Sequence, residues 1–141
     1  MTAEAVVAAA REFLGTPYRH QASLAGVGCD CLGLLRGVWR ALYGAEPMAM
    51  PPYRADIRDP LNAGALRQAA EQLLVAEAGP LAGGQVLLFR LGGMREPKHC
   101  GILVSPERFI HAQEGLGVVE ANLTEGWRRR VCGRFVFPER T

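Results

Sequence analysis

The sequence predicts an α+β fold in which N-terminal helices pack on a central antiparallel β-sheet. In the first half of the chain, apolar residues recur at helical spacing. The rest consists of short apolar runs between glycines and prolines, which is typical of strands. Helices followed by consecutive strands favour antiparallel pairing. A length of 141 residues predicts one domain spanning residues 1–141, and 49% hydrophobic with 21% charged residues favours a globular chain.

The first predicted helix spans residues 2–14. Thr2 is a residue type that caps helix N-termini, and the apolar side chains that follow fall on one face. Gly15 and Pro17 end the helix, because both residue types interrupt helical structure.

The second predicted helix spans residues 30–43. Asp30 is its expected N-cap and Gly44 its C-terminal stop. Gly33 and Gly37 lie four positions apart, so one face of this helix carries no side chain there. We expect another part of the chain to pack closely against that face.

The third predicted helix spans residues 60–78, with Asp59 as its cap and Pro60 in its first turn. The segments 16–28 and 45–58 are interpreted as loops. Five predicted strands follow the third helix, at residues 85–90, 99–104, 108–112, 118–121 and 131–137.

Three classes of partner or location are disfavoured. No apolar run approaches the roughly 18 residues of a membrane-spanning helix, so we expect no membrane insertion. The N-terminus carries Glu4 and no basic residue before Arg11, so we expect synthesis in the cytoplasm without a signal peptide. A net charge of +2 does not indicate a nucleic-acid partner, and Trp127 with residues 128–130 is interpreted as a solvated face.

Cys31 is the candidate nucleophile. It lies at the predicted first turn of the second helix, directly after the cap residue. The helix dipole and the free N–H groups stabilise a thiolate there, and the same groups can stabilise an oxyanion. Position alone leaves a buried structural cysteine as the alternative.

Two histidines favour the catalytic interpretation. His99 opens a predicted strand, and a nucleophilic cysteine commonly uses a base that is distant in sequence. His111 follows on what we expect to be the neighbouring antiparallel strand. If both side chains face the same side of the sheet, His111 can orient His99.

The remaining polar candidates are weaker. Tyr18, in the loop before the nucleophile, is either a half-buried aromatic or a phenol directed at the thiolate, and His20 is expected to be exposed. Cys100 and Cys132 fall in predicted strands and are interpreted as core thiols. Cys-x-Cys matches neither the usual zinc spacing nor a redox motif. A zinc site is therefore a minor alternative; it would comprise Cys29, Cys31, His99 and His111.

Taken together, these segments resemble the NlpC/P60 family of cell-wall peptidases. The matching pieces span residues 15–112 and follow the family's order and spacing. They are Gly-Thr-Pro-Tyr at 15–18, Gly-Cys-Asp-Cys-Leu-Gly-Leu at 28–34, Gly-Gln-Val-Leu-Leu-Phe at 84–89, His-Cys-Gly-Ile-Leu-Val at 99–104 and Phe-Ile-His-Ala at 109–112.

The resemblance implies a papain-like fold and a Cys-His-His triad. By motif, Cys31 is the nucleophile, His99 the base and His111 the orienting residue. Tyr18 matches a tyrosine that contacts the nucleophile, and Asp30 caps the helix that activates it. The implied reaction is hydrolysis of peptidoglycan stem peptides, often between D-glutamate and the diamino acid, with no cofactor.

Two positions depart from the family's usual pattern. Leu32 stands where the family has serine, and Gln85 stands where it has aspartate. The Asp-Cys-Leu-Gly-Leu form, the proline-rich loop and the C-terminal Trp-Arg-Arg-Arg segment are most similar to the phage-tail branch, which includes gene-transfer-agent tail peptidases. This branch implies a tail or hub partner and action in the periplasm or cell wall. A structural hub component with little activity, or an acyltransferase using the same triad, are the alternatives.

Overall fold

A computed structural model describes residues 1–46, 64–93 and 95–139 of the chain. Its helices are α1 (Ala3–Arg11), α2 (Cys31–Tyr43), α3 (Ala65–Leu73) and α4 (Glu125–Arg130). Its strands are β1 (Ser23–Leu24), β2 (Gly28–Cys29), β3 (Val75–Ala76), β4 (Val86–Phe89), β5 (His99–Ser105), β6 (Arg108–Gln113), β7 (Gly117–Asn122) and β8 (Val131–Val136).

Six of these strands form one antiparallel sheet in the order β3-β8-β4-β5-β6-β7. Helices α1 and α2 pack together and against β5. The predicted fold class is therefore confirmed. Within the described residues, no helix is both long and apolar enough to cross a membrane.

The two faces of the sheet have different coverings. The side chains of Val86, Leu88, Cys100 and Ile102 lie on the face that packs against α1 and α2. The alternate residues Leu87, Phe89 and Leu103 lie on the other face, as a strand's two-residue period requires. Each face buries an apolar cluster, which explains why β4 is fully buried and apolar throughout.

The first helix differs from its prediction only at its end. Thr2 caps it as expected, since its hydroxyl accepts a hydrogen bond from the N–H of Ala5 at 3.1 Å. The helix stops at Arg11, and residues 12–15 form a turn that reaches Gly15 at φ +84°. Leu14 is 39% exposed, because it lies on this turn and not on the buried helix face.

The prediction of close packing on the second helix is confirmed. A Cβ at Gly33 would lie 1.9 Å from the carbonyl oxygen of Ala22, and one at Gly37 would lie 2.1 Å from the ring of Phe13. The bare face of α2 therefore receives Phe13 from the turn after α1 and Ala22 from the segment before β1.

The prediction for the third helix is partly wrong. Its proposed cap Asp59 and first-turn Pro60 lie outside the described residues. The helix ends at Leu73 and not at residue 78, because Leu74 is extended and Val75 pairs with Val136 of β8. The backbone groups along the edge of β8 find hydrogen-bond partners in β3. If α3 continued, those edge groups would have no strand to pair with.

Besides strand β3, two short features were not predicted. Segment 16–28 is more than a loop, since it contains the β1–β2 hairpin, in which Ser23 is opposite Cys29. Helix α4 begins after Thr124, whose hydroxyl accepts from the N–H of Trp127 at 3.4 Å. Both elements are too short to have a periodicity that sequence analysis can detect.

We expect Gly33→Ala to destabilise the fold. The added methyl would meet a backbone oxygen, which cannot move as a flexible side chain can. Overpacking of this kind costs about 1–3 kcal/mol or more. Urea unfolding would measure the loss. Gly126→Ala is the matched control, since its Cβ would meet nothing closer than 3.8 Å in a helix. An unfolding free energy that is equal in the two variants would contradict this packing.

Candidate active site

The buried carboxylate of Asp30 sets the start of α2. One oxygen, Oδ1, accepts from the N–H of Gly33 at 2.7 Å, and the other, Oδ2, accepts from the N–H of Gln21 at 2.7 Å. Asp30 is 2% exposed. The predicted N-cap is therefore confirmed, and the same side chain ties the preceding loop to the helix.

Cys31 is the first residue of α2 and is partly exposed. A hydrogen bond from the Cys100 thiol, together with a hydrogen bond and the positive charge of His99, lowers the pKa of Cys31 to about 5. These effects outweigh burial and the nearby charge of Asp30, which both raise the pKa. At neutral pH the Cys31 side chain is therefore a thiolate.

The two histidines predicted to act together are in contact. His99 begins β5 and His111 lies on the neighbouring strand β6. His99 Nε2 and His111 Nδ1 are 2.8 Å apart. Gly101 makes this possible, because a Cβ there would approach the Phe109 ring to 2.8 Å and His111 Cβ to 3.3 Å.

The environment of His111 keeps it neutral. It is 1% exposed, and burial together with the positive charge of His99 lowers its pKa to about 4. When His99 is protonated, its Nε2–H must donate to His111 Nδ1. His111 then carries its own proton on Nε2, which is buried and has no nitrogen or oxygen partner within the described residues.

An aromatic cluster encloses the histidine pair. Phe109 stacks on His111 with ring centroids 4.4 Å apart. The Trp127 ring lies 5.3 Å from His111 at an interplanar angle of 77° and 5.7 Å from His99. Phe89 completes the cluster at 5.9 Å from His99. These rings exclude water from the face of the pair opposite α2.

The interpretation of Trp127 as part of a solvated face is wrong, although residues 128–130 are exposed as expected. Trp127 is half-buried because α4 places it over the end of β5 and β6. The Thr-Glu pair at 124–125 is a capping signal for a short helix. No sequence signal indicates that this helix lies beside the two histidines.

Tyr18 follows two residues whose carbonyl groups are hydrogen-bonded to other parts of the chain. Val118 of β7 donates its N–H to the Thr16 carbonyl at 2.9 Å, and Cys29 donates to the Pro17 carbonyl at 3.0 Å. The phenol is half-buried, and burial followed by the Cys31 charge raises its pKa. Tyr18 therefore remains a protonated donor beside the thiolate.

His20 and Cys29 both lie close to Asp30. His20 is exposed, with Nδ1 at 3.8 Å from Asp30 Oδ2. The buried Cys29 thiol donates to the Asp30 carbonyl at 3.1 Å, and burial raises its pKa to about 12. Among the described residues, no group of three His, Cys, Asp or Glu side chains is placed to hold a metal ion.

The two departures from the family pattern have structural roles. Gln85 is buried, donates to the Pro80 carbonyl at 2.7 Å and accepts from Arg134 at 3.1 Å. Leu32 is 7% exposed and lines an apolar groove between α2 and α3. Neither side chain replaces a member of the Cys-His-His set.

The sequence model of the NlpC/P60 family matches residues 15–136. The chain belongs to the NlpC/P60 family. No curated protein sequence matches the chain.

Solved NlpC/P60 structures share this fold. The NlpC/P60 domain of the peptidoglycan hydrolase SagA is 20% identical, with a TM-score of 0.66 over 97% of this chain and 100% of that one. A lipoprotein-like NLP/P60 protein from Staphylococcus aureus is 17% identical, with a TM-score of 0.66 over 98% of this chain. An NlpC/P60 protein from Bacillus cereus is 20% identical, with a TM-score of 0.67 over 97%. The chain spans only 42% of the S. aureus protein and 40% of the B. cereus protein.

The lowered pKa of Cys31 predicts how alkylation by iodoacetamide depends on pH. Because only the thiolate reacts, the rate should be maximal above about pH 6 and fall as the pH drops through 5. Cys132 is an internal control, since burial raises its pKa. Peptide mass spectrometry would follow both thiols. Alkylation of Cys31 that rises only in the alkaline range, together with Cys132, would contradict the assigned thiolate.

We expect Trp127→Leu to change the protonation pattern of His111. We infer from the nearly perpendicular packing of the two rings that the indole face accepts the buried Nε2–H, which an aliphatic side chain cannot do. Nitrogen-15 NMR of the three histidines would show loss of a single His111 tautomer. Trp127→Phe keeps an aromatic face and should retain it. Identical His111 spectra in both variants would exclude this role.

Proposed function

We propose that this NlpC/P60 chain is a cysteine endopeptidase that hydrolyses amide bonds in peptidoglycan stem peptides. Membership of the family supports cell-wall peptidase activity in general. One observation supports the assignment of this activity to particular residues. The Cys31 thiolate lies at a capped helix start and is hydrogen-bonded to His99, and His99 contacts the neutral His111.

In the proposed mechanism, the Cys31 thiolate attacks the amide carbonyl carbon and forms a tetrahedral oxyanion. Backbone N–H groups in the first turn of α2 have no intrahelical partner and can stabilise that charge. The N–H of Gly33 is already used by Asp30, so those of Cys31 and Leu32 are the available donors. The protonated Tyr18 phenol is a further donor on the same side.

His99 then acts as acid and base. Its imidazolium donates a proton to the leaving amine, and the C–N bond breaks to give the thioester. The neutral imidazole next removes a proton from water, and the resulting hydroxide attacks the thioester and releases the carboxylate and the Cys31 thiolate. His111 positions His99 throughout, because its Nδ1 accepts the Nε2–H of His99. The proposed reaction requires no cofactor.

The substrate and setting are narrower parts of the proposal. The family resemblance supports cleavage between D-glutamate and the diamino acid of the stem peptide. The Asp-Cys-Leu-Gly-Leu motif at 30–34 supports a place in the phage-tail branch, with residues 1–141 as one peptidase domain. In that setting a tail hub protein is the partner, and the particle brings the enzyme to the periplasm or cell wall.

Mass spectrometry of muropeptides tests the activity. Under reducing conditions the wild-type protein should release a new fragment that identifies the bond cut. Cys31→Ala should lower the rate by at least about 10³-fold without unfolding, because removal of a nucleophile abolishes the covalent route. Cys132→Ala, a thiol on β8, is the matched control and should retain activity.

Three other results would redirect the assignment. Cleavage retained by Cys31→Ala would refute Cys31 as nucleophile. A folded wild-type protein that cleaves neither muropeptides nor intact sacculi, but binds a tail protein, would favour a structural hub role. Accumulation of an amide product with an added amine, faster than hydrolysis, would indicate an acyltransferase.

A further inference from the structure

In the proposed mechanism the thiol of Cys100 donates a hydrogen bond to Cys31 but takes part in no bond-making or bond-breaking step. Cys100 follows His99 on β5, so its side chain lies on the opposite face of the sheet, towards α2. It is fully buried, and its Sγ donates to the carbonyl oxygen of Cys31 at 3.2 Å. The same thiol is close enough to the Cys31 sulfur to hydrogen-bond it. The Cys100 thiol therefore lies against both the backbone and the side chain of Cys31 at the start of α2.

The two thiols differ in access and in protonation. Cys31 is partly exposed and ionised, so a small oxidant from solution can reach it. Cys100 is enclosed, and its hydrogen bond to Cys31 together with burial raises its pKa well above the usual value. An accessible thiolate beside a second, protected thiol is the arrangement in which a sulfenic acid condenses to a disulfide.

We propose that Cys31 and Cys100 form an oxidative modification site, at which hydroperoxides convert the two thiols into a reversible disulfide. The chemistry depends on the geometry of the two sulfur atoms and not on the substrate. Its consequence, reversible loss of activity, rests on the proposed peptidase function.

The steps balance with a hydroperoxide as the only oxidant. The Cys31 thiolate attacks one oxygen of hydrogen peroxide, the O–O bond breaks, and hydroxide leaves to give the sulfenic acid. Cys100 then gives its proton to the sulfenic hydroxyl as its sulfur attacks the Cys31 sulfur. The S–O bond breaks and water leaves. Two thiols have been oxidised and one peroxide reduced to two waters, and an external thiol restores the pair by exchange.

The other cysteines are worse partners for Cys31. The Cys29 thiol is directed at the Asp30 carbonyl, and the two residues are separated by a single position in an extended-to-helix junction. Cys132 lies on β8, where the nearest charged groups are those of Arg67, Arg90 and Glu96. The structure therefore selects Cys100 as the residue that captures an oxidised Cys31.

The test uses the full chain without substrate. Reduced protein is treated with one equivalent of hydrogen peroxide, blocked with iodoacetamide and analysed as intact protein and as peptides. The wild type should lose two hydrogen atoms and yield one cross-linked peptide pair containing residues 31 and 100. Dithiothreitol should reverse both changes. Cys29→Ala and Cys132→Ala, the matched thiol controls, should form the same cross-link.

Cys100→Ala should instead gain one oxygen at Cys31, and with a second equivalent of hydrogen peroxide it should proceed to the sulfinic acid, which dithiothreitol does not reduce. Cys100→Val provides a second variant with a β-branched side chain suited to a strand, and thermal melting of both verifies folding. Overoxidation of Cys31 at the same rate in wild type and in both variants would overturn the proposal. A cross-link to Cys29 would overturn it as well.

The result is separable from the proposed function, because the mass measurement needs no substrate. A cross-link in a protein that cleaves no muropeptide would leave the modification site intact and refute the peptidase. In an active protein, peroxide should abolish cleavage by the wild type, and dithiothreitol should restore it.

Discussion

The buried carboxylate of Asp30 is the constraint on which the site depends. A charge with 2% exposure is stable only when its oxygens are hydrogen-bonded, and both oxygens accept backbone N–H groups at 2.7 Å. One bond comes from α2 and the other from the loop before β1. The carboxylate therefore determines at once where α2 begins and how the loop carrying Tyr18 and His20 lies against it. Cys31 is at the helix start because Asp30 is the residue before it.

The sheet provides the second half of the site by strand alternation. Consecutive residues of β5 lie on opposite faces, so His99 meets His111 and the aromatic cluster while Cys100 meets α2. The helix start lies where these two sets approach each other, which allows the Cys31 thiolate to contact both His99 and Cys100. A pKa of about 5 for Cys31 follows from donors on both faces and cannot be assigned to the helix terminus alone. The charge on the thiolate is thus stabilised by tertiary contacts.

The two histidines differ in how deeply they are buried. His111 is enclosed by Phe109 and Trp127 and stays neutral, which lets it accept a hydrogen bond from His99. His99 is more accessible and exchanges a proton with the substrate in the proposed reaction. His111 remains the hydrogen-bond acceptor because its protonation would place a positive charge on a buried ring. His99 therefore keeps the acid–base role in the proposed reaction. The aromatic cluster therefore contributes to the chemistry through desolvation.

Local sequence determined much of this protein. Residue type at the caps determined the starts of α1 and α2, glycine spacing determined the close face of α2, and short apolar runs between glycines and prolines determined β4 to β8. The candidate catalytic residues Cys31, His99 and His111 were predicted from their positions relative to those elements.

The tertiary structure decided which side chains contact each other. Helix α4 is too short to show periodicity, so the place of Trp127 over the histidines depends on packing. The end of α3 depends on pairing of Val75 with the distant β8. The contact of Cys100 with Cys31 joins residues 69 positions apart, and no local pattern encodes a contact formed by docking a helix on a sheet.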